Sequence, residues 1–80
     1  MKKWILIEWK NGDEFETCLQ ATTREEALTE AQAVWKRLSG YDQKNREEFF
    51  VVFAELNEDG SVDFDTESDH ISKEEISGKE

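Results

Sequence analysis

Cysteine is nearly absent from this 80-residue chain: Cys18 stands alone, so no intramolecular disulfide or multi-cysteine zinc site can form. Stability must come from packing. Long hydrophobic runs are missing too. None approaches the roughly 20 residues that cross a bilayer, and the apolar stretch after Met1-Lys2-Lys3 is too short for a signal peptide. These shortages predict a cytoplasmic protein without membrane contact. There is no glycine-rich phosphate loop. Basic arms and Arg-rich helices are also lacking, which disfavours direct nucleic-acid binding because that depends on neutralising phosphates. His70 is the only histidine and sits in a polar stretch, so a metal site or a His-based nucleophilic system lacks its other members.

Positive charge runs out towards the C-terminus. Residues 1–46 hold eight acids and eight bases, whereas residues 47–80 hold twelve acids against Lys73 and Lys79 and so carry the whole net charge of −10. A field of that sign repels phosphate backbones and attracts basic surfaces.

What is present reads as one small domain, since a chain this short buries only about 60 to 65% of its unfolded surface. Trp4 to Trp9 is a β-branched and aromatic run that ends at Asn11-Gly12-Asp13, a first strand and turn. Residues 14 to 20 alternate, with Phe15, Thr17 and Leu19 on one side and Glu14, Glu16 and Cys18 on the other. A two-residue Asn11-Gly12 loop sets Ile7 opposite Glu16. A three-residue loop, Lys10 to Gly12, sets Ile7 opposite Phe15, and this apolar match is the expected register.

Thr22 and Thr23 precede Glu25 and Glu26 by three residues each, so either threonine can open a helix with a capping box. The helix carries Ala27, Leu28, Ala31, Val34, Trp35 and Leu38 on one stripe and should end near Leu38, with Lys36 and Arg37 in its last turn and Gly40 beyond. Asp42 is a candidate cap for one further short turn. Phe49 to Leu56 forms a strand apolar on both faces, Glu58-Asp59-Gly60 a second turn, and Ser61 to Asp65 a last strand, with Leu56 opposite Val62 and Ala54 opposite Phe64.

The expected fold is therefore α+β, ββαββ, a four-stranded antiparallel sheet in the order 2-1-3-4 with one helix packed on one face. Strands apolar on both faces take the centre, and strands alternating with acids take the edges. Beneath the helix the expected core is Ile5, Ile7, Trp9, Phe15, Leu19, Phe50, Val52, Ala54, Leu56, Val62 and Phe64. The domain spans residues 1–66. Residues 67–80 form an acidic tail with only Ile71 and Ile76 to bury, which does not offset ordering about 15 residues at roughly 1 to 2 kcal/mol each. A mobile end is expected.

In that arrangement the uncovered sheet face shows Trp4, Leu6, Phe49, Val51 and Phe53. Glu14 and Glu16 border it on one side, and Glu55, Asp63 and Asp65 on the other. An aromatic centre with a charged rim is the anatomy of an interface. Three occupants are open: the chain's own C-terminal segment through Ile71 and Ile76, a second copy, or a different protein with a basic surface. The like-charged rim opposes a tight homodimer at low salt.

Other constellations are weaker. Glu55, Asn57, Asp59 and Asp63 echo a calcium loop, but position twelve is Thr66 and strands flank it where helices should. Cys18 lies among Glu14 and Glu16, which oppose thiolate formation. Paired carboxylates need a cleft that separates their pKa values, and one helix on one sheet offers little cavity. Catalysis is not expected, nor is any cofactor or metal.

The stretches Lys3-Trp4, Glu8 to Asp13, Phe15-Glu16-Thr17, Thr22 to Leu28 and Asp63 to Thr66 give the chain its resemblance. It resembles a group of short uncharacterised proteins encoded on bacterial conjugative and other mobile elements. That resemblance implies a genomic setting and carries no site residues. The expected role is a non-catalytic acidic protein-interaction module that engages a basic protein surface, with the acids acting as a decoy for phosphates if the partner handles nucleic acid. The alternative is a self-associating, homodimeric structural domain.

Overall fold

Asn11 and Gly12 decide the first hairpin. Both adopt positive φ, 54° and 83°, which a two-residue type I′ turn requires and an Asn-Gly pair supplies. In the computed structural model, which describes residues 1–78, β1 (Lys3–Lys10) and β2 (Asp13–Cys18) therefore pair with Lys10 opposite Asp13, Ile7 opposite Glu16 and Ile5 opposite Cys18. The expected three-residue loop is not formed. Turn chemistry outweighs the apolar pairing of Ile7 with Phe15, and Phe15 faces Glu8 instead, 51% exposed.

Thr23 caps helix α1 (Arg24–Arg37), its side chain accepting from the Glu26 amide, while the Glu26 carboxylate accepts from the Thr22 amide and hydroxyl at 2.9 and 2.7 Å. Those bonds hold the Glu26 carboxyl below its ordinary pKa. Leu38 ends the helix, as the stripe predicts. Ser39, not Asp42, caps the short helix α2 (Gly40–Asn45) by accepting from the Asp42 amide. Strand β3 (Arg46–Leu56) follows, then β4 (Val62–Asp63) and a 3-10 turn at Phe64–Thr66.

The fold is α+β, with an antiparallel sheet ordered β2-β1-β3-β4 and a helix packed against it. More is built than the sequence suggests. Residues 69–77, expected in a tail outside a domain of residues 1–66, form strand β5 (Asp69–Ile71), which pairs with β3, and helix α3 (Lys73–Ser77). Ile71 and Ile76 are buried in the same cluster as Trp4, Leu6, Phe49, Val51 and the α1 residues Ala27, Ala31 and Trp35. The segment is ordered because its docking is reciprocal: it also covers Trp4, Phe49 and Val51 and adds ladder bonds on β3. Positions 79 and 80 of the expected tail lie outside the described residues.

Helix α1 lies on the sheet face opposite to the expected one. Its small residues Ala27 and Ala31 let it approach the large side chains Trp4 and Phe49, and Trp35 meets Phe49 edge-on at 5.0 Å between ring centres. The face expected beneath it, with Ile5, Ile7, Val52 and Ala54, forms a second buried cluster completed by Val62. Within the expected core, Phe15 and Phe64 are exposed, whereas Trp9, Phe50 and Leu56 are half-buried.

Val62 reaches that cluster because the β3–β4 hairpin turns back over the sheet. Glu16 pairs with Ile7, Ile7 with Phe50, and Leu56 with Val62. From Phe50 to Leu56 a straight strand runs about 20 Å. Yet the Glu16 carboxylate accepts from the Val62 amide at 3.4 Å, so the second hairpin folds across the face. Its loop is stiffened by Asp59, whose carboxylate accepts from the Ser61 amide and hydroxyl at 3.0 and 2.7 Å and is held below its ordinary pKa by them. Leu56 and Val62 pair as expected, but Ala54 and Phe64 do not, because the chain enters the 3-10 turn at Phe64. No helix among the described residues is long and apolar enough to cross a membrane.

Candidate protein-interaction surface

The apolar patch expected to meet a partner is interior. Trp4, Leu6, Phe49 and Val51 are buried under α1, Ile71 and Ile76, and Phe53 is half-buried against Trp4 with ring centres 4.6 Å apart. A partner or second copy has no access to those four side chains. Of the three occupants the sequence left open, the chain's own C-terminal segment is there, together with the helix. The physical cause is that β1 and β3 are apolar on both faces, so alternation alone does not say which face the helix takes.

Nor do the expected rim acids gather around that patch. Glu14 and Glu16 stand on the other face of the sheet, beside Trp9 and Ile7. The Glu16 carboxylate is engaged with Val62. Asp63 caps the 3-10 turn, accepting from the Asp65 amide at 3.1 Å, and the Glu55 amide donates to the Thr66 hydroxyl at 2.8 Å. Asp65 is exposed in the turn, and the Glu55 carboxylate, at the C-terminal end of β3, lies 3.6 Å from the Met1 ammonium.

A different surface remains open, on the face that carries the folded-back hairpin and at its far end. Ile7 is covered there, but Trp9 on β1 and Phe50 on β3 stay half-buried, and the exposed ring of His70 on β5 lies 5.1 Å from the Phe50 ring. Glu14 and Glu48 are the strand partners of Trp9 on its two sides, so a carboxylate flanks the indole on each. A groove of about 700 Å³ runs from Trp9 past Glu48, Phe50 and His70 to Glu74 and Lys73. Lys73 on its wall is already engaged: its ammonium donates to the Arg46 carbonyl at 2.9 Å and lies 5.9 Å from the Trp35 ring. A register shift between Trp9 and Lys10 lets Glu47 turn away and accept from the Gly12 amide at 3.1 Å.

Such a surface stacks on flat or cationic groups and attracts positive charge. Among the described residues no group of three or more His, Cys, Asp or Glu side chains is placed to hold a metal ion, and every buried side-chain polar atom has a partner. Trp9 and Phe50 are not distinguishable as surface residues by sequence because both suit a core strand, and His70 is not because it lies in the segment expected to be a tail. The signal that points to them is their residue type: Trp9 is followed by Lys10-Asn11-Gly12, at the wet end of its strand.

The comparisons with protein-family models, curated proteins and solved structures find no match for the chain.

Proposed function

We propose that the protein is a non-catalytic acidic interaction module that binds a basic protein surface through the Trp9–Phe50–His70 face, with Glu14 and Glu48 as its charged border. The observation that carries this reading is the pair of half-exposed aromatic side chains on neighbouring strands, flanked by carboxylates in a chain of net charge −10. A guanidinium or ammonium group stacked on Trp9 would sit between two acids, where cation–π attraction and charge complementarity add. A partner whose basic surface ordinarily holds nucleic acid fits the same chemistry, with carboxylates standing where phosphates would. A mobile-element setting and a cytoplasmic location belong to the same proposal.

The test is a titration of the full chain with an arginine-rich peptide, followed by NMR. The double variant Glu14→Lys/Glu48→Lys is compared with Glu25→Lys/Glu58→Lys, which changes net charge equally at exposed positions elsewhere. The proposal expects the first to weaken binding about tenfold more than the second. Equal weakening means that only the overall field attracts the peptide, and the face has no special role.

A further inference from the structure

The outer edge of β2 is open along its whole length. All six of its residues are exposed, its pairing with β1 is uninterrupted, and among the described residues no element pairs on its other side. The turn sets which backbone groups face outward. In a two-residue hairpin the closing pair, Lys10 and Asp13, is hydrogen-bonded, and the bonded pairs then alternate as Glu8 with Phe15 and Leu6 with Thr17. The Leu19 amide donates to the Trp4 carbonyl at 2.9 Å, which continues that phase. Glu14, Glu16 and Cys18 therefore direct their amides and carbonyls away from the sheet.

Side chains along this edge sort by face. Glu14 and Glu16 stand on the face of Trp9, and Phe15, 51% exposed, stands on the α1 face. We infer that the basic partner segment docks as an added strand on the outer edge of β2, with Lys or Arg at alternate positions beside Glu14 and Glu16 and an apolar residue between them beside Phe15. This rests on the interaction role proposed above and specifies the conformation and sequence pattern of the partner. Charge selects the occupant. A second copy docking edge to edge in the centred antiparallel register would set Glu16 against Glu16, between two chains of net charge −10 each. The same carboxylates that block self-pairing complement a basic strand. Glu14 is shared, since it neighbours Trp9 on one side and the added strand on the other.

The probe is a short peptide of alternating arginine and valine, titrated into the full chain beside a control of the same composition with its arginines and valines in separate blocks. Strand addition expects the alternating peptide to bind about tenfold more tightly. N-methylation of its amides on the edge facing β2 should abolish that advantage, and N-methylation on the opposite edge should not. On binding, hydrogen exchange should slow at Glu14, Glu16 and Cys18. Binding that shifts Trp9 and Phe50 while both N-methylated series behave alike and those amides exchange unchanged overturns strand addition and leaves the aromatic-face reading standing. Failure of both peptides to bind removes both proposals.

Discussion

The carboxylate of Glu16 on β2 accepts a hydrogen bond from the backbone amide of Val62 on β4, 3.4 Å away, although β1 and β3 separate those strands in the sheet. The contact joins the two ends of the sheet order across one face. It requires the β3–β4 hairpin to lie over Ile5 and Ile7, which explains why a sheet with the long helix α1 on one side has no bare centre on the other.

Val62→Ala should then cost about 1.5 to 3 kcal/mol, as for a core valine and not for a loop-proximal edge residue. Urea denaturation checks this. A loss near zero would mean the hairpin does not cover the sheet. Glu16→Ala should cost less, since the bond is long and one partner stands on an exposed strand.

Ile71 is fully buried between β3 and α1, so Ile71→Ala should cost about 2 to 5 kcal/mol. In a domain of this size that lowers Tm by roughly 4 to 8 °C per kcal/mol. The transition should stay single, because β5 shares its core with Trp4 and Phe49. An unchanged melt would place residues 69–71 outside the cooperative unit.

Arg24 clamps the C-terminal segment: its guanidinium donates to both Glu75 oxygens at 2.7 and 3.0 Å, lies 3.5 Å from Asp69 and reaches the His70 carbonyl at 3.4 Å. The hydrogen bond from Arg24 holds the Glu75 carboxyl below its ordinary value, and the Glu75 hydrogen bond raises the Arg24 pKa in turn. A depressed carboxylate contributes stability that is present above its unfolded pKa of 4.5 and is lost as pH falls through the lower folded value. Both side chains are more than a third exposed, at 41% and 38%, so Glu75→Gln should cost no more than about 1 kcal/mol at neutral pH. Melts of both proteins across the acid range should converge as pH falls below 4.5. A gap that persists in acid would assign the effect to packing.

Gly12 and Gly40 predict opposite outcomes for the same substitution. Nothing lies within 4 Å of a Cβ built at either, but Gly12 holds φ of +83° whereas Gly40 is helical in α2. Gly12→Ala should destabilise by about 1 to 2 kcal/mol and Gly40→Ala should stabilise by up to about 1 kcal/mol. Thermal melts of the two single variants decide the matter. Equal effects would mean the type I′ turn is not held in solution.

Local chemistry was legible in the sequence, and long-range choice was not. The Thr22-Thr23 pair with Glu25 and Glu26 marks the start of α1, where Thr23 proves to be the cap, and Leu38 marks its end, because a cap and its partner lie within one turn. Strand order followed from which strands are apolar on both sides. The hairpin register departs from the apolar match of Phe15 with Ile7 because the positive φ angles of Asn11 and Gly12 favour a two-residue turn. The uncovered face is illegible in the sequence for a related reason: Trp4, Leu6, Phe49 and Val51 are as apolar as Ile5, Ile7 and Val52, and a period of two does not rank one face above the other.

The amino-acid order by itself determined the extent of α1, the existence of the four expected strands, the 2-1-3-4 sheet order, and the placement of the whole net charge in residues 47–80, since these depend on neighbours close in the chain or on simple counts; β3 starts at Arg46, ahead of the expected Phe49, and β4 is only Val62–Asp63. Only the tertiary structure decided which face α1 covers, that Ile71 and Ile76 dock beside it, and that Val62 folds over the other face. The first two turn on how Ala27 and Ala31 fit against Trp4 and Phe49, and the third on how Val62 fits against Ile5 and Ile7, contacts between residues far apart in sequence. They leave Trp9 and Phe50 half-buried and the residues of β2 exposed.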